Sequence, residues 1–226
     1  VSLGLGSMYT NSTGNYNVAL GYASLTANTT ASNNVAVGYQ SLKANTTGGS
    51  NVAVGLDALT VNTTGADNVA IGSYSLAGNT TASYNTVVGR SAMGNNTTGA
   101  SNTALGYTAL YANTTGASNV AIGHEALYSN TTADGNTAVG DTALKLNVTG
   151  AYNAAFGNSA LAQSVGDFNT GIGALAGSTI TSGDHNTFLG AAAGDATTTA
   201  DNNTGLGSYA LSDNTTGANN TAVGRL

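Results

Sequence analysis

Residues 38–54 read G-Y-Q-S-L-K-A-N-T-T-G-G-S-N-V-A-V, and this unit of 17 residues recurs with small changes along the whole chain. Its first glycine follows an apolar residue and returns every 17 residues, with one interval of 16. These glycines are Gly4, Gly21, Gly38, Gly55, Gly72, Gly89, Gly106, Gly123, Gly140, Gly157, Gly173, Gly190, Gly207 and Gly224. A fixed short period indicates stacked structural units that bury apolar side chains against their neighbours. We therefore expect residues 1–226 to form one continuous array of about 13 coils, cut from a longer array.

We number the recurrent glycine position 1, so that the unit reads G-x-x-A-L-x-x-N-T-T-G-x-x-N-(V/T)-A-(V/I/L). Position 17 is always apolar, and position 15 is almost always Val or Thr. β-branched residues two apart indicate a short strand, which we predict to direct positions 15 and 17 inward. Leu or Met at position 5 predicts a second inward residue on a second short strand.

The apolar residues alternate, and Asn-Thr-Thr-Gly interrupts every unit, so the pattern excludes helix. The predicted fold is therefore an all-β, parallel β-solenoid or β-roll of 17-residue coils that forms a rod. Position 4 is Ala or Ser and position 16 is mostly Ala, which would let two sheets or two chains approach closely. Because such a thin core is marginal on its own, we expect self-association into a trimer or filament, or else a very long array.

Asparagine at position 14 is the most constant feature of the unit. In a parallel solenoid, equivalent residues lie about 4.8 Å apart, so each Asn amide can bond to the next. We predict a structural ladder along the array. Its members are Asn17, Asn34, Asn51, Asn68, Asn85, Asn102, Asn119, Asn136, Asn153, Asn169, Asn186, Asn203 and Asn220.

The motif N-(V/T)-A-(V/I)-G followed by small residues, as in residues 169–177 and 186–194, resembles the head repeats of YadA-like trimeric autotransporter adhesins. The present unit is longer than that of the family by an N-T-T-G turn. Similar N-T-T-G arrays resemble parts of phage tail fibres and of extracellular fibres. The resemblance implies a left-handed parallel β-roll, a location outside the cell, on its surface or on a virion, and a structural or adhesive role without catalysis.

The N-T-T-G turn also carries the acceptor pattern for N-linked glycans in secreted proteins. Position 8 begins such a sequon at Asn11, Asn28, Asn45, Asn62, Asn79, Asn96, Asn113, Asn130, Asn147 and Asn214. The paired threonines offer O-linked acceptors at Thr30, Thr47, Thr64 and Thr115. The alternative is that N-T-T-G is simply good turn chemistry and that the sequon accompanies it.

Residues 157–206 depart from the unit, because they lose the position 8 asparagine, contain the 16-residue step and carry glycine at position 5 of two coils. Asp167, Asp184 and Asp201 share one repeat position there. Stacked carboxylates repel one another unless solvent or a cation such as Ca²⁺ separates them. The sequence therefore offers two alternatives for this column, an exposed acidic turn and a Ca²⁺ site, and no other cofactor.

The remaining chemistry is sparse. Four basic residues, widely spaced, argue against nucleic acid as a partner, and no 18-residue apolar run predicts a membrane span within this segment. His124 and His185 occupy different repeat positions, and Glu125 is the single glutamate, so no catalytic set is predicted. Glycans or cell-surface receptors remain the expected partners, with stacked tyrosines such as Tyr22 and Tyr39 as candidate contacts.

Three functions fit this pattern. The first is a structural or adhesive segment of an extracellular fibre, and the second is the shaft of a phage tail fibre. The third is an ice-binding solenoid, in which Asn and Thr at positions 8 and 10 would present a regular face.

Overall fold

The computed structural model describes residues 1–225 and consists of fourteen short strands, with no helix in that range. The chain divides into two compact units, Val1–Ala117 and Ser118–Leu226. The strands of the first unit are β1 (Ser2–Leu3), β2 (Val18–Leu20), β3 (Val35–Val37), β4 (Val52–Val54), β5 (Val69–Ile71), β6 (Thr86–Val88) and β7 (Thr103–Leu105). The strands of the second are β8 (Val120–Ile122), β9 (Thr137–Val139), β10 (Ala154–Phe156), β11 (Thr170–Ile172), β12 (Thr187–Leu189), β13 (Thr204–Leu206) and β14 (Thr221–Val223). The predicted all-β solenoid with a 17-residue spacing is confirmed.

Within each unit the strands pair in parallel and in chain order, with each repeat position opposite the same position of the next coil. In the first unit Val35 lies opposite Val52, and the backbone N–H of Val35 donates to the carbonyl of Asn51 at 2.8 Å. The 16-residue step in the second unit preserves this register, since Ala154 pairs with both Thr137 and Thr170. The missing residue is therefore absorbed in the turn outside the sheet.

The inward face of each strand is the opposite of the one predicted. The central residue, at position 16, is fully buried, as Ala36 and Ala53 show, whereas Val52 and Val54 on either side are half-buried. The prediction that positions 15 and 17 point inward is therefore wrong. The alanines at position 16 fill the inside of the coil of a single chain, and the β-branched residues form its outer surface.

Leucine at position 5 is buried as predicted, but it does not lie on a second strand. Leu42 and Leu59 are 0% exposed and have φ values of 49° and 53°. Such left-handed backbone interrupts a strand and turns the chain toward its next corner. The leucine therefore enters the interior from a tight turn, opposite the alanine of the strand.

Glycine at position 1 is required by close backbone stacking. Gly55 has φ +138°, and a Cβ placed on it would lie 2.6 Å from the carbonyl carbon and oxygen of Gly72 in the next coil. A non-glycine residue would thus meet both an unfavourable φ and a backbone collision. This double restriction explains why the glycine sets the repeat of the sequence.

The variant coils of the second unit have an interior of their own. Gly177 and Gly194 stand where other coils have the buried leucine, and Phe188 replaces the usual alanine at position 16. Phe188 is fully buried, and a Cβ on Gly177 would lie 3.1 Å from its ring. Gly205, the next position 16 residue, also lies against this ring. One large side chain from the strand thus fills the space that two leucines fill elsewhere.

Candidate functional site

Position 14 forms a buried hydrogen-bonded column in each unit. In the first unit the Oδ1 of Asn34 accepts the backbone N–H of Asn51 at 2.9 Å, and its Nδ2 donates to the carbonyl of Gly48 at 3.0 Å. In the second unit the Oδ1 of Asn136 likewise accepts the N–H of Asn153 at 2.9 Å. The predicted asparagine ladder is confirmed, and its recurring contact runs from side chain to backbone.

The sequon asparagines at position 8 form a second buried column, which the sequence pattern did not indicate. The Nδ2 of Asn62 donates to the Oδ1 of Asn45 and to the carbonyl of Gly65, both at 2.9 Å. Eight of these residues are 0% exposed, namely Asn28, Asn45, Asn62, Asn79, Asn96, Asn113, Asn130 and Asn147. Asn11 and Asn214 are half-buried.

This burial bears directly on the glycan prediction. An N-linked glycan is attached through Nδ2, which in the buried column already donates two hydrogen bonds inside the coil. A sugar at this atom would have to leave the interior and break both bonds. The folded chain therefore does not present the eight buried asparagines as acceptors, and we do not propose them as glycan sites.

The two threonines of the turn differ in their surroundings. At position 9 the hydroxyl of Thr46 donates to the carbonyl of Thr63 in the next coil at 3.0 Å, which is a structural contact. Position 10 points outward and is exposed. The exposed candidates for O-linked sugar are Thr30, Thr47, Thr64 and Thr115. Their modification stays a prediction.

The three aspartates of the variant coils bind backbone and do not converge on a common point. The Oδ1 of Asp167 accepts the N–H of Ala151 at 2.8 Å, and that of Asp184 accepts the N–H of Asp167 at 2.7 Å. Asp201 makes the same contact with Asp184 at 2.9 Å. Within residues 1–225 no group of three His, Cys, Asp or Glu side chains could hold a metal ion. The Ca²⁺ alternative is therefore wrong for this geometry, because each carboxylate serves the coil before it.

Aromatic side chains stack along the outside of both units. Tyr22 and Tyr39 lie 5.2 Å apart between ring centroids with an interplanar angle of 13°. In the second unit Tyr152, Phe168 and His185 form a continuous stack with centroid distances of 5.3 and 5.1 Å. Because the rings cover one another's faces, these stacks offer mainly ring edges to a ligand.

The charged groups of the second unit pair with one another. Lys145 contacts Glu125 at 2.7 Å, and the hydrogen bond from Glu125 raises the pKa of this lysine. His124 lies 3.0 Å from Asp141, 17 residues later. Such exposed pairs stabilise a protein only slightly. They occupy the lone glutamate and one of the two histidines in contacts between neighbouring coils.

A groove in the first unit was not predicted from the sequence. It encloses about 240 Å³ and is lined by Tyr74, Ala77, Ser91, Gly94, Asn95 and Tyr111. Its floor exists because position 6, which carries a side chain in the neighbouring coils, is Gly94 here. A single glycine at a variable position gives no sequence signal, so this feature becomes visible only when the coils are stacked.

Comparison with known proteins does not narrow these possibilities. The part of the chain that the structure describes includes no helix long and apolar enough to cross a membrane. No family model matches the chain, and neither a curated protein nor a solved structure matches it.

Proposed function

We propose that this chain is a structural segment of an extracellular fibre, non-catalytic, which spaces or presents adhesive elements. The observation that supports this most directly is the pair of asparagine columns. Each coil satisfies its buried polar groups with the next coil, through contacts such as Asn51 to Asn34 and Asn62 to Asn45. Such units add along one direction, as in other solenoid proteins whose stability is a sum over neighbours.

The interior also favours stiffness. Within residues 1–225 every buried side-chain nitrogen or oxygen has a hydrogen-bond partner. Fully satisfied buried polar networks rigidify a structure, because any opening leaves donors and acceptors without partners. A stiff repeat array suits a stalk or spacer better than an enzyme, which needs a cleft with converging reactive groups.

The resemblance to YadA-like adhesin heads and to tail-fibre arrays supports a location on a cell surface or virion. The shaft of a phage tail fibre remains the alternative, since it requires the same stiffness. The sequence that flanks residues 1–226 in a longer chain would distinguish the two, because an anchor barrel belongs to an adhesin and a receptor-binding tip belongs to a phage. Labelling intact cells and particles with an antibody against this chain tests the location itself.

The spacer role is tested by removing whole coils. Deletion of residues 35–102 removes four units and joins Asn34 to Thr103 in register. A rod loses about 19 Å of maximum dimension, which is four strand spacings of about 4.8 Å, and small-angle X-ray scattering measures this. Deletion of residues 35–94 is the matched control, because it breaks the register and should prevent folding. A folded variant that shrinks equally in all directions would refute the proposal.

Ice binding is a second candidate, on a different face from the one predicted. Asparagine at position 8 is buried, so positions 8 and 10 do not form a joint surface. The strands instead expose two parallel columns at positions 15 and 17, as in Thr103 and Leu105 of β7. Regular Thr and aliphatic columns at strand spacing provide a repeating surface. Thermal hysteresis in a freezing-point assay tests this candidate, and its absence excludes it.

A further inference from the structure

The groove between Tyr74 and Tyr111 is a local departure from the repeat. Tyr74 occupies position 3 and is 41% exposed. Tyr111 occupies position 6, and a Cβ on Gly94 would lie 3.2 Å from its Cε2 atom. The ring of Tyr111 therefore reaches over the glycine floor, and the ring of Tyr74 bounds the same space.

Other coils combine different residues at these positions. Position 6 carries Thr60 or Lys145 elsewhere in the chain, and position 3 is usually small or polar, as in Ala23. An aromatic residue at position 3 recurs only at Tyr209. The groove therefore depends on one combination, an aromatic residue at position 3 with glycine at position 6 in the following coil.

Three polar side chains that line the groove are available to a ligand. The Ser91 hydroxyl, the Asn95 side-chain amide and the Tyr74 hydroxyl make no hydrogen bond to any other residue in the range 1–225. The backbone beneath them, in contrast, is used, since the N–H of Asn95 donates to the carbonyl of Tyr111 at 3.2 Å. A hydroxyl and an amide thus face the groove with both donor and acceptor capacity.

This composition matches the chemistry of a neutral sugar ring. Tyrosine rings accept the apolar face of a ring, and hydroxyl and amide groups exchange hydrogen bonds with its hydroxyls. No charged side chain is among the described residues that line the groove, so a phosphate or a carboxylate would lack a counter-ion. Binding sites typically combine an apolar wall with a few convergent polar groups, and this groove has that arrangement on a small scale.

We propose that the groove formed by Tyr74, Ser91, Asn95 and Tyr111 binds one neutral hexopyranose unit of a glycan. The site supplies the adhesive part of the function proposed above, and the spacer role does not depend on it. Since the groove is open and holds one ring, the affinity of one site is weak, with a Kd of about 1 mM. Adhesion would then require several copies of the chain acting together.

The test uses the whole chain and methyl glycosides of glucose, galactose and N-acetylglucosamine, with binding followed by saturation-transfer NMR and titration. We expect at least one glycoside to bind and to perturb the ring protons of Tyr74 and Tyr111. Gly94→Thr restores the position 6 side chain found at Thr60 and fills the groove, and Tyr74→Ala removes one wall. Each variant should weaken binding at least tenfold, by loss of shape or of ring contact.

Tyr209→Ala is the matched control, because Tyr209 has the same repeat position and similar exposure but no such groove among the described residues. It should bind like the parent chain. Circular dichroism establishes that each variant is folded, and Gly94→Thr remains informative if Tyr74→Ala is not. The proposal is overturned if none of the three glycosides binds at about 10 mM, ten times the expected Kd, or if Gly94→Thr binds as well as the parent. Because the deletion of residues 35–102 is measured by scattering alone, failure of either test is distinguishable from failure of the other.

Discussion

The side-chain oxygen of Asn51 accepts two hydrogen bonds from Asn68, one from its backbone N–H at 3.0 Å and one from its Nδ2 at 3.1 Å. The Nδ2 of Asn51 in turn donates to the carbonyl of Gly65 at 2.9 Å. Both asparagines are 0% exposed. An amide is the one small side chain that offers an acceptor and a donor in this geometry, and this accounts for asparagine at position 14 of every unit.

Asn51→Asp should destabilise the first unit by about 3 kcal/mol, because a buried carboxylate oxygen would then face the carbonyl of Gly65. Thermal and denaturant unfolding at pH 7 measure the loss. The loss should shrink as the pH falls, since a protonated carboxyl can again donate to Gly65 and the buried group has a raised pKa. Asn33→Asp is the control, because position 13 is exposed and carries Asp67 in another coil. Equal stability of Asn51→Asp and the parent would contradict the ladder.

Asn62→Ala should cost about 2 to 3 kcal/mol, because it removes the donor to the Gly65 carbonyl and to Asn45 and the acceptor for Asn79. The same unfolding measurements apply. Asn15→Ala, at an exposed asparagine, should change stability by less than about 0.5 kcal/mol. If the two variants behaved alike, the position 8 column would be a passive feature of the turn, and the glycan interpretation would regain its basis.

Gly55→Ala should be strongly destabilising, by about 3 kcal/mol or more, because φ +138° is unfavourable for alanine and the methyl group would collide with Gly72. Gly49→Ala is its matched control. Gly49 lies in the same coil as the Asn51 strand entry, at position 12, where Ala66 stands in the next unit, and its φ is not in the left-handed region. Denaturant midpoints should therefore separate these two substitutions of glycine by alanine. Similar midpoints would show that position 1 tolerates a side chain.

Phe188→Ala should destabilise the second unit by about 3 to 5 kcal/mol, because it leaves a cavity between two glycines that cannot fill it. Gly194→Leu alone should also destabilise, since the new side chain would collide with the Phe188 ring. The double variant restores the alanine and leucine arrangement of the regular coils, and Leu at φ near +60° is accepted at this position elsewhere. A double-mutant cycle should give a favourable coupling of roughly 2 kcal/mol, and additive losses would contradict this account of the interior.

The period, the strand, the buried leucine and the asparagine ladder could all be predicted from the sequence. The orientation of the strand could not, because alternation in Val52, Ala53 and Val54 is the same whichever face is buried. β-branched residues favour extended backbone on either face, and the interior of a 17-residue coil favours a residue as small as alanine opposite Leu59. Apolar size, which normally marks the core, therefore marked the outer surface in this chain.

The burial of the sequon was hidden for a related reason. Asn, Thr, Thr and Gly are turn residues, and turns lie on the surface in most proteins. In this fold the chain turns around Asn62, whose side chain points inward while Thr64 points outward. Composition alone does not distinguish a turn that presents its asparagine from one that encloses it.

The 16-residue coil gives the fold a practical property. Residues 157–172 lack one outward residue of the turn, yet β10 and β11 pair in register and the asparagine column passes from Asn153 to Asn169. The outer corner of a coil can therefore change length without disturbing the inner columns. A peptide grafted at this corner, one per coil, would be displayed at intervals of one strand spacing, and the chain would serve as a molecular ruler for arranging epitopes or enzymes along a line.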